Sequence, residues 1–102
     1  MILVDFTEDD KGVRLRVSGH SSQADKGKDI VCAAVSALIQ TFAGGVENEL
    51  KAVLEGNLEA GNCDLRVNVT ENRHQEMTAV YNVFKFGFRK IAESYPEQVK
   101  LN

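Results

Sequence analysis

GHSSQADKGKDIVCAAVS, residues 19–36, is the stretch around which this chain of 102 residues is organised. Gly19 and His20 close a predicted strand, a polar loop follows, and Cys32 then enters the first turn of an apolar helix. We expect Asp29 to be the N-cap of that helix, because its carboxylate can accept a hydrogen bond from a backbone N–H two or three residues on. With that cap, Cys32 is the third helical residue.

This position gives the Cys32 thiol three reasons to be reactive. The helix N-terminus favours a negative charge, and His20 is close enough in sequence to take the thiol proton. The polar loop could also close over a substrate. Besides Gly27, the loop carries Ser21, Ser22, Gln23, Ala24, Asp25, Lys26 and Lys28.

The sizes of these effects rank them. A free thiol has a pKa near ~8.5, so about 3% is thiolate at neutral pH. A helix end contributes roughly 0.3–1 kcal/mol to an exposed charge, and one pKa unit is about 1.36 kcal/mol. The helix end therefore lowers the pKa by less than one unit, whereas an imidazolium partner lowers it by several. If Cys32 is a nucleophile, His20 has to be its partner.

Alternating apolar residues predict two strands before this stretch. Residues 2–8 and 13–17 alternate, and the turn between them ends in Gly12, so the two strands should pair antiparallel. The helix after the cap should run from Ile30 to Thr41 or Phe42 and stop at Gly44-Gly45. Its surface is apolar almost all round, which is typical of a helix buried on several sides.

The second half of the chain predicts further strands and a second helix. Residues 46–50 could continue the helix after the glycine pair or form a connection, and the sequence does not decide between the two. Residues 52–55 indicate a short strand, 56–64 a turn region and 65–70 a clear strand. Apolar residues at helical spacing predict a helix from His74 to Tyr95, ended by Pro96, with Gly87 letting a neighbouring element approach closely. Residues 99–101 could form a last edge strand.

The order ββαββαβ predicts an α+β fold of two layers, with two helices packed on a mainly antiparallel sheet. The length fits a single domain, residues 1–102, with one modest core. A net charge of −3 and the lack of a long basic run disfavour direct nucleic-acid binding. No secretory signal is recognisable, and no apolar run approaches the roughly 20 residues that span a bilayer. We therefore expect a soluble cytoplasmic protein with no membrane partner.

Each candidate residue also has a purely structural interpretation. His20 could be a surface or hydrogen-bonded histidine, and Cys32 an inert thiol in the core. Asp29 caps the helix in either case, and Ser36 could bond back to the carbonyl four residues earlier. Cys63 is interpreted as a small filler residue at a turn, although the sequence leaves open a disulfide with Cys32, which a reducing compartment disfavours.

A metal site would use the same residue types. His20, Cys32, Cys63 and His74 have spacings unlike the short C-x₂₋₄-C and H-x₃₋₅-H pairs of structural zinc sites. Gly44-Gly45 also matches no strand–glycine–helix fingerprint for phosphate. The prediction is that the protein uses no metal and no cofactor.

Gly19-His20 and the pattern Gly27-x-Asp29-Ile30-Val31-Cys32-Ala33-Ala34-x-Ser36 resemble the ribosomal-processing cysteine protease family, called Prp or YsxB-like. The resemblance extends over nearly the whole chain. It implies that Cys32 is the nucleophile and His20 the general base, with Asp29, Ser36, Gly19 and Gly27 at the supporting positions of the motif. Relatives often carry extra glycine in the loop after the histidine, and this chain departs from that pattern.

The resemblance further implies a bacterial cysteine endopeptidase that forms homodimers. Its substrate would be the N-terminal extension of the large-subunit ribosomal protein L-twenty-seven, and the acidic net charge suits such a basic partner. The alternative is a non-catalytic ribosome-assembly or regulatory module that binds a basic peptide without cutting it. The two differ in whether Cys32 is exposed and titrates at low pH.

Overall fold

The structure, a computed structural model, describes residues 1–19, 26–59 and 61–102, and for residues 26–29 it describes the backbone alone. The chain opens with strands β1 (Ile2–Glu8) and β2 (Gly12–Ser18), followed by helix α1 (Lys26–Glu49). Then come β3 (Val53–Glu59), β4 (Asn62–Asn68), a short 3-10 turn (Glu71–Arg73), helix α2 (His74–Ser94) and β5 (Val99–Leu101). The predicted order ββαββαβ is confirmed.

Within the described residues, the five strands form one sheet in the order β3-β4-β2-β1-β5. All neighbouring pairs are antiparallel except β1 and β5, which are parallel. Leu15 of β2 lies opposite Phe6 on one side and Leu65 on the other, and all three are buried. Because successive side chains of a strand point to opposite faces, the buried residues of the strands share one face of the sheet. Both helices cover that face. The two-layer α+β prediction is confirmed.

Phe6 lies at the centre of the core, where both helices meet β1. Its ring centroid is 5.1 Å from that of Phe42 on α1 and 5.5 Å from that of Phe88 on α2. Tyr81 packs on the same ring at 4.7 Å and donates a 2.9 Å hydrogen bond from its hydroxyl to the Phe6 carbonyl. Aromatic pairs of this kind add about 0.5–1.5 kcal/mol each beyond their buried area. The cluster therefore fixes both helices on the sheet.

Helix α2 matches its prediction closely and shows what Gly87 does. The helix spans His74–Ser94, one residue shorter than expected. A Cβ atom added at Gly87 would lie 3.2 Å from Cδ1 of Leu38 on α1. The predicted close approach of a neighbouring element is thus confirmed, and the neighbour is α1.

Helix α1 does not stop at Gly44-Gly45, and this part of the prediction is wrong. The helix continues to Glu49, because Ala43 and Val46 on either side of the glycine pair are buried. Burying a valine side chain is worth about 1.5–3 kcal/mol, and a helical glycine costs about 1 kcal/mol relative to alanine. Tertiary burial therefore outweighs the local breaking tendency.

The start of α1 also differs from the prediction. The helix begins at Lys26, three residues before Asp29, so Asp29 is not the N-cap. Lys26, Gly27 and Lys28, which were predicted in the loop, belong to the first turn instead. An acidic residue is favourable both at the N-cap and in the first turn of a helix. The residue type of Asp29 therefore did not show which of these two positions it occupies. Cys32 becomes the seventh helical residue rather than the third.

The hairpin of β3 and β4 is longer than its sequence suggested. Residues 56–64 were predicted as a turn region, yet β3 runs to Glu59 and β4 begins at Asn62. Gly56 lies inside β3 with φ +114°, and a Cβ atom there would fall 1.9 Å from the Asp64 carbonyl oxygen. The glycine permits close pairing within a strand, a role that glycine in a sequence does not distinguish from a turn.

The opposite face of the sheet carries charged side chains. Arg14 of β2 donates from Nε and Nη2 to the two carboxylate oxygens of Asp64 on β4, at 3.3 and 3.2 Å. The hydrogen bond from this guanidinium is the main cause that lowers the pKa of Asp64 from its ordinary value. The pair orders the outer surface of the sheet, on the side away from the helices.

Within residues Ile30–Glu49 of α1, a window of 18 residues has a mean hydropathy of 1.6, closer to a membrane-spanning composition than the sequence analysis allowed. The same segment contains Val31, Val35 and Phe42, which are buried against the sheet and α2. The apolar composition therefore belongs to the central helix of the fold, whose core side is covered.

Candidate active site

A cavity of about 360 Å³ lies between the first half of α1 and the end of the sheet where β2 and β3 finish. Its apolar lining comes from the sheet and the buried side of α1: Ile2, Val17, Val35, Ile39 and Cys63. Its polar lining comes from the helix and the β3–β4 hairpin: Ser36, Gln40, Glu59 and Asn62. Such a cavity, mostly apolar with a few polar groups, is the usual form of a binding site.

Cys32 lines this cavity from α1 and is partly exposed. Its neighbour Val31 is fully buried, and Val35, one turn further on, is 3% exposed. The thiol therefore lies at the border between the core and the open space, and it can be reached from solvent. An inert thiol enclosed in the core, the structural alternative for Cys32, does not fit this exposure.

Ser36 follows Cys32 by one helical turn and also lines the cavity, as does Gln40 a further turn on. Residues four apart lie on one side of a helix, so these three form a polar stripe on an otherwise apolar helix. Ser36 is one of the supporting residues that the family motif implies, and the structure places it in the same cavity as Cys32. The sequence analysis did not single out Gln40, although the repeated spacing of four was a usable signal.

Gly19 lines the same cavity at the end of β2. Its φ is +81°, and a Cβ atom there would lie 2.3 Å from the carbonyl oxygen of Met1. Both facts require glycine at this point, because other residues rarely adopt that backbone conformation and the side chain would clash. His20 comes next in the sequence; it lies outside the described residues, together with Ser21, Ser22, Gln23, Ala24 and Asp25.

Asp29 and Gly27 are placed by their backbone alone, in the first turn of α1. Cys32 is the seventh residue of α1, and the effect of a helix dipole falls off within the first turn. The helix end therefore contributes less to a Cys32 thiolate than the sequence analysis expected.

Cys63 lines the cavity from the sheet side but is only 4% exposed. Burial, with a smaller contribution from the charge of Asp64, raises the pKa of the Cys63 thiol to about 11. The Sγ–H group contacts the Leu15 carbonyl oxygen at 3.9 Å, and Cys63 is a free thiol rather than part of a disulfide. At neutral pH it stays protonated, which agrees with a filler role.

Of the four residues of the hypothetical metal set, His74 does not line this cavity, and His20 lies outside the described residues. His74 lies at the start of α2 and lines a separate depression beside the β1–β2 turn, with Glu8 and Asp10. Cys32 and Cys63, by contrast, both line the first cavity. In the described residues, no group of three or more histidine, cysteine or acidic side chains is arranged to hold a metal ion.

Sequence analysis missed the contribution of the β3–β4 hairpin. Leu58 and Glu59 end β3 and line the cavity, and Asn62 begins β4 there. These residues fell in the stretch predicted as a turn, so no pattern connected them with Cys32. Strand pairing with β4 brings them to the cavity, and that pairing is not readable from local sequence.

Residues 1–100 match the model of the family described as cysteine protease Prp. The chain belongs to the Prp family of cysteine proteases. This makes it an enzyme and removes the non-catalytic alternative.

Named relatives agree with this membership. The ribosomal processing cysteine protease Prp of Mycoplasma genitalium is 31% identical over 88 residues, which cover 86% of this chain and 85% of the relative. The protein of the same name from Staphylococcus aureus is 24% identical over all of this chain and 98% of its own length.

Solved structures share the fold over the full chain. The crystal structure of SMU.848 from Streptococcus mutans superposes with a TM-score of 0.82 at 23% identity, covering 100% of this chain and 92% of the other. Prp from S. aureus with a covalently linked product peptide gives 0.77 at 25% identity, covering 100% and 98%. Both similarities extend over the full chain and show a shared fold.

Proposed function

We propose that this protein is a ribosomal processing endopeptidase that removes the N-terminal extension of ribosomal protein L-twenty-seven, with Cys32 as nucleophile and His20 as general base. The observation that carries the proposal is the placement of Cys32, which is partly exposed and opens into the 360 Å³ cavity while Cys63 is buried. Relatives named ribosomal processing cysteine protease support the substrate class.

The proposed reaction uses the thiol and the imidazole in turn. His20 takes the proton from Sγ of Cys32, and the thiolate attacks the carbonyl carbon of the scissile peptide bond. The imidazolium then gives its proton to the leaving amine, so that an acyl-enzyme thioester remains. Water, deprotonated by His20, hydrolyses the thioester and releases the extension. A crystal structure of the S. aureus relative holds a covalently linked product peptide.

His20 is required in this scheme because the helix cannot supply the activation alone. Cys32 lies in the second turn of α1, where the dipole contribution is smaller than the roughly 0.3–1 kcal/mol available at the terminus. A thiol pKa lowered by several units needs a cationic partner. Gly19, which precedes His20 directly, lies at the wall of the same cavity as Cys32, and this supports the pairing.

We also infer that the enzyme is a homodimer, because large apolar side chains remain exposed on the helical layer. Ile30 on α1 is 61% exposed, and Val83 and Phe86 on α2 are 66% and 56% exposed. Phe86 is covered on one side by the ammonium group of Lys90, 5.5 Å from the ring centroid. A contiguous exposed apolar patch is typical of a protein interface, and we propose that the dimer covers these three side chains.

The decisive experiment is incubation with extended L-twenty-seven followed by intact-mass analysis. Wild-type protein should remove the extension, and both Cys32→Ala and Cys32→Ser should leave it uncut, since no other described thiol is accessible in the cavity. Cys63→Ser is the matched control and should retain nearly full activity with an unchanged circular dichroism spectrum. Cleavage by Cys32→Ala would end the proposal, and binding without cleavage by the wild type would contradict the substrate.

A further inference from the structure

Strand β3 is an exposed sheet edge that ends at the cavity. It is the outermost strand on its side, paired with β4 along its length, and among the described residues no strand pairs with its other side. Of its residues, only Leu54 is partly buried, and the other six are exposed. Such an edge offers a row of backbone N–H and C=O groups to a further strand.

The two edges of the sheet are not equivalent. β5, at the far edge, has three residues, whereas β3 has seven. Short strands, lysine and proline are common means of protecting an edge from unwanted pairing. The sequence of β3, VLEGNLE, contains neither proline nor lysine, and it exposes Val53 by 59% and Leu58 by 46%. β3 is therefore the edge that is open to strand addition.

The position of the C-terminal end of β3 indicates which partner pairs with this edge. Leu58 and Glu59 at its C-terminal end line the cavity that also contains Cys32. We propose that the substrate peptide binds in an extended conformation as an additional strand along β3, with its scissile bond at the Leu58–Glu59 end. This inference rests on the proposed function. A paired segment of about seven residues would extend roughly 23 Å along the edge.

The charge of the edge supports a basic peptide as the occupant. Glu55 lies opposite the basic Arg66 in the strand register, whereas Glu59 lies opposite the neutral Asn62. Among the described residues, no basic side chain forms an ion pair with Glu59. The uncompensated carboxylate at the cavity rim favours a lysine or arginine of the peptide.

The first test varies the backbone of the peptide and leaves the enzyme unchanged. A synthetic peptide spanning the L-twenty-seven cleavage site is methylated at one backbone nitrogen at a time, and KM is measured with wild-type enzyme. Antiparallel or parallel pairing uses only alternate N–H groups on each side of a strand. We expect KM to rise by about tenfold or more at every second position and to change little between them. A profile without alternation would overturn the proposal.

The second test locates the peptide with a photoreactive residue, using Cys32→Ser protein to prevent cleavage. A probe next to the scissile bond should cross-link to Leu58 or Glu59. A probe about five residues away should cross-link to Val53 or Leu54 when it lies on one side of the scissile bond, and not when it lies on the other. Cross-links to residues 99–101 of β5, or a chain-to-chain cross-link through β3 that excludes the peptide, would overturn the inference. Wild-type enzyme should still cleave the unmethylated peptide in these cases, because the proposed function does not depend on where the peptide binds. Loss of that cleavage would instead contradict the proposed function.

A charge variant gives an independent measurement of the register. Glu59→Gln should raise KM about two- to fivefold for a peptide with lysine near the cleavage site, the range expected for an exposed ion pair. Glu55→Gln is the matched control and should change KM less, because Arg66 already lies opposite it. Equal effects of the two variants would contradict the proposed position of the basic residue.

Discussion

Gly19 at the end of β2 and Cys32 in the second turn of α1 line one cavity, although 13 positions separate them in the sequence. Gly19 has a positive φ, and its backbone lies against Met1. The chain leaves the sheet at the wall of the cavity that Cys32 also lines, and the next residue in the sequence is His20. This relationship connects the two halves of the proposed catalytic pair and leads to the first prediction.

Cys32 should react with iodoacetamide at lower pH than Cys63. Alkylation requires the thiolate, and the buried Cys63 has a pKa of about 11, so it should label only in strongly alkaline solution. We expect peptide mass spectrometry to find Cys32 labelled at neutral pH, because it is partly exposed in the cavity, while Cys63 stays unmodified.

The same assay tests His20. His20→Ala should slow labelling of Cys32 at pH 6 on the order of tenfold, because the thiolate loses its imidazolium partner and only part of the effect is offset by higher nucleophilicity. Ser22→Ala, in the same segment, serves as the control and should leave the rate unchanged. Identical labelling rates of wild type and His20→Ala would show that His20 does not activate the Cys32 thiol.

The Cys63 thiol should make the protein less stable in alkaline solution. Its pKa is raised from 9.0 to about 11 by burial, so the folded state holds this proton more tightly than the unfolded state. The stabilisation is present in full below pH 9 and is lost as pH rises through 11. Between pH 8 and 11, the free energy of unfolding should fall by about 1–2 kcal/mol more in wild type than in Cys63→Ala. Equal losses in urea titrations of the two proteins would contradict this.

Two glycines should respond in opposite directions to alanine. Gly44 lies in helix α1, and a Cβ atom there meets nothing within 4 Å, so Gly44→Ala should raise the free energy of unfolding by about 0.5–1 kcal/mol. Gly56 has φ +114° and no room beside the Asp64 carbonyl, so Gly56→Ala should lower it by about 2 kcal/mol or more. Urea denaturation measures both, and a stabilised Gly56→Ala would show that β3 and β4 pair differently.

The proposed dimer should depend on the helical layer. Phe86→Ser removes an exposed ring whose burial would be worth about 1.5–3 kcal/mol, so the dimer dissociation constant should rise by about ten- to a hundredfold. Leu3→Ser, on the outer face of the sheet and 40% exposed, is the control and should not change it. Sedimentation velocity gives both values; a monomeric wild type would refute the dimer.

By itself the sequence determined the order of elements, the extent of α2 and the location of Cys32 on an apolar helix. These follow from local properties: side-chain periodicity, the stop at Pro96 and the alternation of β1 and β2. The family motif added the candidate roles of Cys32 and His20. Periodicity is local because each residue's neighbours along a helix or strand lie within a few positions.

Only the tertiary structure decided the ends of α1 and the composition of the cavity. Burial of Ala43 and Val46 carries α1 through Gly44-Gly45, and pairing with β4 carries β3 to Glu59. The cavity combines Gly19, Cys32 and Leu58 from three distant parts of the chain. Such contacts depend on burial and strand register between distant residues, and local sequence preferences of about 1 kcal/mol do not outweigh them.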